Sequence, residues 1–203
     1  MNFLIVGGFL GAGKTSLILQ LAHYMVNTLG ITKVAIIENE IGKVGIDDQV
    51  LKGAGLQVKG LFAGCVCCTM AGDLPDTVDQ IIREENPDWI IMEPTGIAFP
   101  YSIKENLEKF FPFVCRSVVL ADVQRWMKLL KAMSHLLPFQ LSKSDVVLVN
   151  KCDLVDKETV EEVCASVKSF NSEVEVLKTS TKDGLDEQTL RTILGEENIP
   201  NGK

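Results

Sequence analysis

Residues 8–15 read Gly-Phe-Leu-Gly-Ala-Gly-Lys-Thr, directly after the apolar run Phe3–Val6 and directly before a stretch with helical periodicity. This strand–glycine loop–helix pattern constrains the fold more than any other feature of the chain. Its glycines let the backbone wrap until N–H groups face phosphate oxygens, and the start of the following helix adds positive potential. Within Gly8, Gly11, Ala12 and Gly13, backbone is therefore the expected ligand. Lys14 is expected to bridge the β- and γ-phosphates of a nucleotide, and Thr15 to offer its hydroxyl to Mg²⁺.

The rest of the chain repeats that alternation. Phe3–Val6, Val34–Ile37, Trp89–Met92, Ser117–Ala121, Val146–Val149 and Val174–Leu177 read as buried strands. Leu17, Leu21, Met25 and Leu29 share a helix face, and Met70–Glu85, Val123–Met133, Lys157–Phe170 and Asp186–Leu194 read as helices. The expectation is an α/β P-loop NTPase fold of three layers, with a mostly parallel central sheet and helices on both faces. The 203 residues suffice for one such domain. It is expected over residues 1–195, followed by a frayed tail at 196–203, with no linker or second domain.

Two further motifs fall at strand C-termini, where ligands bind in open parallel sheets. Asn150-Lys151-Cys152-Asp153 follows Val146–Val149. The Asp153 carboxylate is suited to accept from the ring N–H and the exocyclic amine of guanine. Adenine lacks that donor pair and would leave the acceptor unsatisfied, at about 1–3 kcal/mol. Thr179 and Ser180, after the last strand, are candidates for the loop that covers the base. Glu93-Pro94-Thr95-Gly96 follows Trp89–Met92. Glu93 is placed to act on the Mg²⁺ shell, and Gly96 to present its N–H to a γ-phosphate, so that this loop would move on hydrolysis.

The segment Gly64-Cys65-Val66-Cys67-Cys68 carries a different chemistry. Three thiolates so close together are suited to bind one borderline or soft cation such as Zn²⁺, Co²⁺ or Ni²⁺. They leave a coordination position for water, a carboxylate or a partner's ligand, which suits transfer better than a permanent structural ion. Glu38 and Glu40, after the second strand, are candidates for the Mg²⁺ shell or for the thiolate-bound metal. Cys115, Cys152 and Cys164 lie in apolar or helical contexts and read as packing residues. A disulfide framework is a poor fit. The formal net charge of -7 without a basic run argues against nucleic-acid binding. No apolar run is long enough to span a bilayer, and the N-terminus lacks a signal-peptide pattern, so a cytoplasmic location is expected.

Taken in order, GGFLGAGKTS, IENEIGKVGIDDQ, GCVCC with EPTG, and NKCD resemble the CobW-type branch of the GTPases that also includes the urease and hydrogenase nickel-insertion GTPases. The resemblance covers about Asn2 to Asp153 and, more loosely, the chain to Leu194. It implies a slow GTPase, cycling between GTP and GDP with Mg²⁺, that hands a transition metal to a client protein or cofactor pathway. A homodimer is consistent with that group. It further implies that Gly11, Gly13, Lys14, Thr15 and Ser16 form the phosphate site, Asn150, Lys151 and Asp153 the guanine site, and Cys65, Cys67 and Cys68 the metal site. Glu38, Glu40 and Glu93 match its acidic positions near Mg²⁺ or cargo metal; Asp122 also matches a position of the group, with no role assigned. Lys43 stands where relatives often carry Glu, which removes a possible metal ligand. Many relatives add a histidine-rich C-terminal domain, whereas this chain holds only His23 and His135.

Two other readings stay open. A P-loop small-molecule kinase would need an acceptor pocket and an arginine-bearing lid, and Asn150–Asp153 argues against it. A regulatory switch without metal would make the cysteines structural or redox-active.

Overall fold

A computed structural model describes residues 1–38, 60–61, 73–195 and 198–199. Among them seven strands form one sheet: β1 (Asn2–Gly8), β2 (Val34–Glu38), β3 (Gly60–Leu61), β4 (Trp89–Glu93), β5 (Val114–Asp122), β6 (Val146–Asn150) and β7 (Glu175–Lys178). Their order is β3-β2-β4-β1-β5-β6-β7, and every pairing is parallel. The helices are α1 (Lys14–Asn27), α2 (Asp73–Glu85), α3 (Pro100–Glu108), α4 (Trp126–Ala132), α5 (Leu137–Leu141), α6 (Lys157–Phe170) and α7 (Glu187–Leu194).

Strand alternation decides which helix covers which face. On β1, Leu4 and Val6 join the cluster formed with Leu17, Leu21 and Met25 of α1 and Leu190 and Ile193 of α7. Phe3 and Ile5 point the other way, into the cluster with Leu74, Val78 and Ile81 of α2 and Leu107 of α3. The same rule divides β6. Val146 and Leu148 face α1 and α7, whereas Val147 and Val149 pack with Trp126, Leu137, Leu141 and the Val160–Val167 side of α6. Strands buried on both sides read as unbroken apolar runs, which is why periodicity locates them only as runs. The three-layer expectation is met.

The local departures have identifiable causes. Helix α3 was not expected; Pro100 opens it at a position where a missing N–H is harmless. The helix expected over 123–133 is confined to Trp126–Ala132, because Arg125 N–H closes a turn on Asp122 O at 3.1 Å before it. Helix α5 was also not foreseen, being too short to show a period. Helices α6 and α7 lie where their patterns place them, each capped by an aspartate. Asp156 accepts from the Thr159 N–H at 2.7 Å, and Asp186 from the Thr189 N–H at 2.8 Å. Those bonds hold both carboxyls below the usual carboxylate range. The tail expected to fray contains Ile199, which is buried with Leu194 in the α1 face cluster.

Alternation makes the central strands the most sensitive part of the fold. Ile91 of β4 is 0% exposed beneath α1. Replacing it in Ile91→Ala is expected to lower unfolding free energy by about 2–5 kcal/mol, measured by urea denaturation. The loss should appear with little change in m-value.

Candidate nucleotide site

All motif-bearing strands deliver their C-terminal ends to one edge of the sheet, with β1 at the centre. The loop after β1 turns sharply, with Ala12 N–H donating to Phe9 O at 3.1 Å. Gly13 occupies the N-cap of α1 at φ 106°, in the left-handed region. A Cβ there would stand 2.5 Å from Asn150 Nδ2 and 2.9 Å from Thr181 Oγ1, so a side chain is excluded by both conformation and space. No side chain caps the start of α1, and its first turn carries no acid. The backbone N–H groups at that end are thus suited to an anion.

Beside this loop lies a polar triad. Lys14, 4% exposed, sets Nζ 3.5 Å from Glu93 Oε1 and 3.4 Å from Phe9 O. Thr15 Oγ1 donates to Glu93 Oε2 at 3.2 Å. A hydroxyl beside a carboxylate is a set of hard oxygen donors, which fits Mg²⁺. Lys14 stands where a polyphosphate reaching Thr15 would pass. Gly96 touches the same loop from the far side: a Cβ on it would lie 3.0 Å from the Leu10 nitrogen.

The second wall comes from β6. Asn150 is 0% exposed. Its Nδ2 donates to Ala12 O at 2.8 Å and to Thr181 Oγ1 at 2.9 Å, and its Oδ1 accepts from the Thr181 N–H at 2.9 Å. Thr179 also donates to Oδ1, at 3.3 Å. Lys151 follows at φ 67°, an uncommon conformation for a residue with a Cβ. Its Nζ donates to Gly11 O at 2.7 Å and to Asp122 Oδ2 at 2.6 Å. Asp153 is exposed, and its Oδ1 accepts from Ser180 Oγ at 2.8 Å.

These elements enclose a cavity of about 710 Å³. Gly11, Gly13, Lys14, Thr15, Ser16, Glu93, Lys151, Asp153 and Ser180, all named from the sequence, line it. Gly8, Ala12, Gly96, Asn150 and Thr179 are not on its wall; Ala12, Asn150 and Thr179 brace the wall from behind. Sequence reasoning missed Leu10, Leu154, Thr181 and Lys182 as lining residues. Thr181 and Lys182 directly continue the Thr179-Ser180 loop, so adjacency was the available signal. Asp122 is the other gain. An acid after an apolar strand was visible, but its pairing with Lys151 was not.

Cys65, Cys67, Cys68 and Glu40 lie outside the described residues. Glu38 ends β2, in register with Glu93 of β4. Leu61 of β3 pairs with Ile37 at the same edge, and Cys65 follows it by four residues. The remaining cysteines behave as packing groups. Burial pushes the Cys115 thiol up to about 12, and burial also raises Cys152 and Cys164. They are protonated at neutral pH, when a metal ligand must be thiolate. Among the described residues no group of three or more His, Cys, Asp or Glu could hold a metal ion.

A profile described as CobW/HypB/UreG, nucleotide-binding domain, matches residues 2–178. The chain is 28% identical over 217 residues to a Zinc-regulated GTPase metalloprotein activator 1 of Dictyostelium discoideum, covering 87% of this chain and 45% of that one. It is 31% identical over 160 residues to Zinc chaperone YeiR of Escherichia coli (strain K12), covering 76% and 48%. The chain thus spans about half the length of these relatives. In fold it is similar to the hydrogenase maturation factor HypB of Archaeoglobus fulgidus, with a TM-score of 0.68 at 17% identity over 97% of this chain and 90% of that one.

Two outcomes follow from this geometry. Gly13→Ala should weaken nucleotide binding by at least about tenfold, since backbone strain of this kind is worth about 1–3 kcal/mol; fluorescent-nucleotide titration measures it. For Cys115, the folded chain keeps a proton that the unfolded chain releases above its ordinary value of 9.0. The folded state therefore binds more protons at high pH. This contribution to stability is whole below pH 9.0 and is lost as pH rises toward about 12. Alkaline denaturation of the parent and of Cys115→Ala checks it, with the parent showing the steeper fall.

Proposed function

The chain belongs to the CobW/HypB/UreG family of nucleotide-binding domains, and on that premise we propose that it binds and hydrolyses GTP and couples its nucleotide state to the handling of a transition metal. The observation that carries the reading is that one cavity is lined both by Gly13, Lys14 and Thr15 and by Asp153 and Ser180. A guanine nucleotide has the matching layout, with an acidic polyphosphate at one end and a donor pair on the base at the other.

In this reading Asp153 accepts from the guanine ring N–H and amine, and Ser180 orients its carboxylate. Lys151 braces the phosphate loop through Gly11 O, and Asp122 neutralises its charge. Lys14 exchanges its contacts with Glu93 and Phe9 O for phosphate oxygens, and so counters the charge that builds up as water attacks the γ-phosphorus in line. Thr15 and Glu93 would hold Mg²⁺, which would supply further charge neutralisation. Gly96, against the phosphate loop, is placed to sense the γ-phosphate through its N–H. Turnover is expected to be slow without a partner.

The metal arm rests on the Cys65-Val66-Cys67-Cys68 segment. Its support is the sequence: three thiols in four positions, beginning four residues after Leu61 of β3, which pairs with Ile37 of β2. Zn²⁺ is the proposed cargo, with Co²⁺ or Ni²⁺ as alternatives of the same ligand chemistry. A client protein would take the ion. If one edge serves both ligands, nucleotide and metal affinities are linked reciprocally, typically by about 1–3 kcal/mol.

Zinc affinity, measured by competition with a chromophoric chelator, tests this coupling. The chain with Mg²⁺ and a non-hydrolysable GTP analogue is expected to bind one ion at least about fivefold more tightly than with GDP, and Cys67→Ser should erase the difference. Affinity indifferent to nucleotide and to Cys67 would instead favour a regulatory switch without metal.

A further inference from the structure

The turn after β4 is held by a side chain that no motif identifies. Gln140, on α5, is 2% exposed. Its Nε2 donates to Gly96 O at 2.6 Å and, at longer range, to Ala98 O at 3.5 Å. Thr95–Ala98 is a turn closed by the Ala98 N–H on Thr95 O at 2.9 Å. Gly96 and Ile97 are its central residues, so the carbonyl that Gln140 grips belongs to the middle peptide. That peptide is the unit whose rotation by roughly half a turn interconverts the common β-turn types. A donor fixed on its oxygen selects one orientation.

The base of this contact is rigid and its target is sensitive. Leu137 and Leu141 flank Gln140 and are each 1% exposed in the α6-side core. Phe139 adds a second link, its ring 5.4 Å from that of Phe99. On the other side the turn rests on the phosphate loop, as the 3.0 Å approach of a Gly96 Cβ to the Leu10 nitrogen shows.

We propose that Gln140 is a positioning residue for the γ-phosphate end of the site: its amide fixes the middle peptide of the Thr95–Ala98 turn and so holds that turn against the phosphate loop. The proposal rests on the guanine-nucleotide reading above and goes beyond it. Because GDP has no γ-phosphate, the contribution of Gln140 falls on the GTP-bound state and on hydrolysis.

Two variants of the full chain test it. Gln140→Leu keeps bulk and burial but removes the donor. Gln140→Glu donates to Gly96 O only while its carboxyl is protonated. Single-turnover phosphate release from GTP with Mg²⁺ and the affinities for GDP and for a non-hydrolysable GTP analogue are measured for each, with thermal melts as the check on folding. Gln140→Leu is expected to slow phosphate release by about tenfold while GDP affinity stays within about threefold. Relative to the parent at each pH, Gln140→Glu should be slow at about pH 8 and recover toward about pH 5.5, as its carboxyl regains the proton. The proposal is overturned if Gln140→Leu matches the parent rate, if GTP and GDP binding weaken equally, or if Gln140→Glu follows Gln140→Leu at every pH. A parent that binds neither GDP nor GTP would remove the underlying reading as well. A parent that hydrolyses GTP no faster than Gln140→Leu removes only the role of Gln140.

Discussion

The side-chain amide of Asn150 is the interaction on which the site depends. It is fully buried at the C-terminal end of β6, and both its donor and acceptor ends are engaged. Through them it joins the phosphate loop at Ala12 to the loop after β7 at Thr181, two segments far apart in sequence. A buried amide with unmet bonds would be costly, so the three segments are held in a single mutual geometry. The absence of a side chain at Gly13 is the complement of this arrangement, because Asn150 Nδ2 occupies the space a Cβ would need. Lys151 and Asp122 extend the bracing to Gly11, so the two ends of the cavity are built as one unit.

Much of this was legible in the sequence, and the reason is local. The phosphate loop and the Asn150–Asp153 motif each consist of consecutive residues doing one task, so their spacing carries their meaning. The same holds for the capped helices α6 and α7. What escaped was contact between distant positions. Gln140 meets Gly96 across 44 residues, and Asp122 meets Lys151 across 29. Neither has a local signature. Helix α5 is five residues long, below the length at which a period is visible. Thr181 was missed for a different reason: the loop after β7 was identified through Thr179 and Ser180 alone, whereas Ser180, Thr181 and Lys182 line the cavity.

Parallel strands send all their C-terminal ends to one edge, whatever their order in the chain. Glu38 and Glu93 end neighbouring strands in register, and β3 brings the chain to the same edge four residues before Cys65. Glu93 itself contacts both Lys14 and Thr15. Burial holds Cys115, Cys152 and Cys164 as thiols.

The central claim is that the far end of the cavity reads guanine through Asp153. The direct measurement is calorimetric binding of GDP and xanthosine diphosphate to the parent and to Asp153→Asn. Xanthine carries a carbonyl where guanine carries its amine, so a carboxylate opposes it and an amide donor suits it. The account predicts that the parent prefers GDP and that Asp153→Asn reverses the preference, each by about tenfold or more, the scale of one unmet buried hydrogen bond. Equal affinities in the parent, or a preference untouched by the substitution, would contradict it.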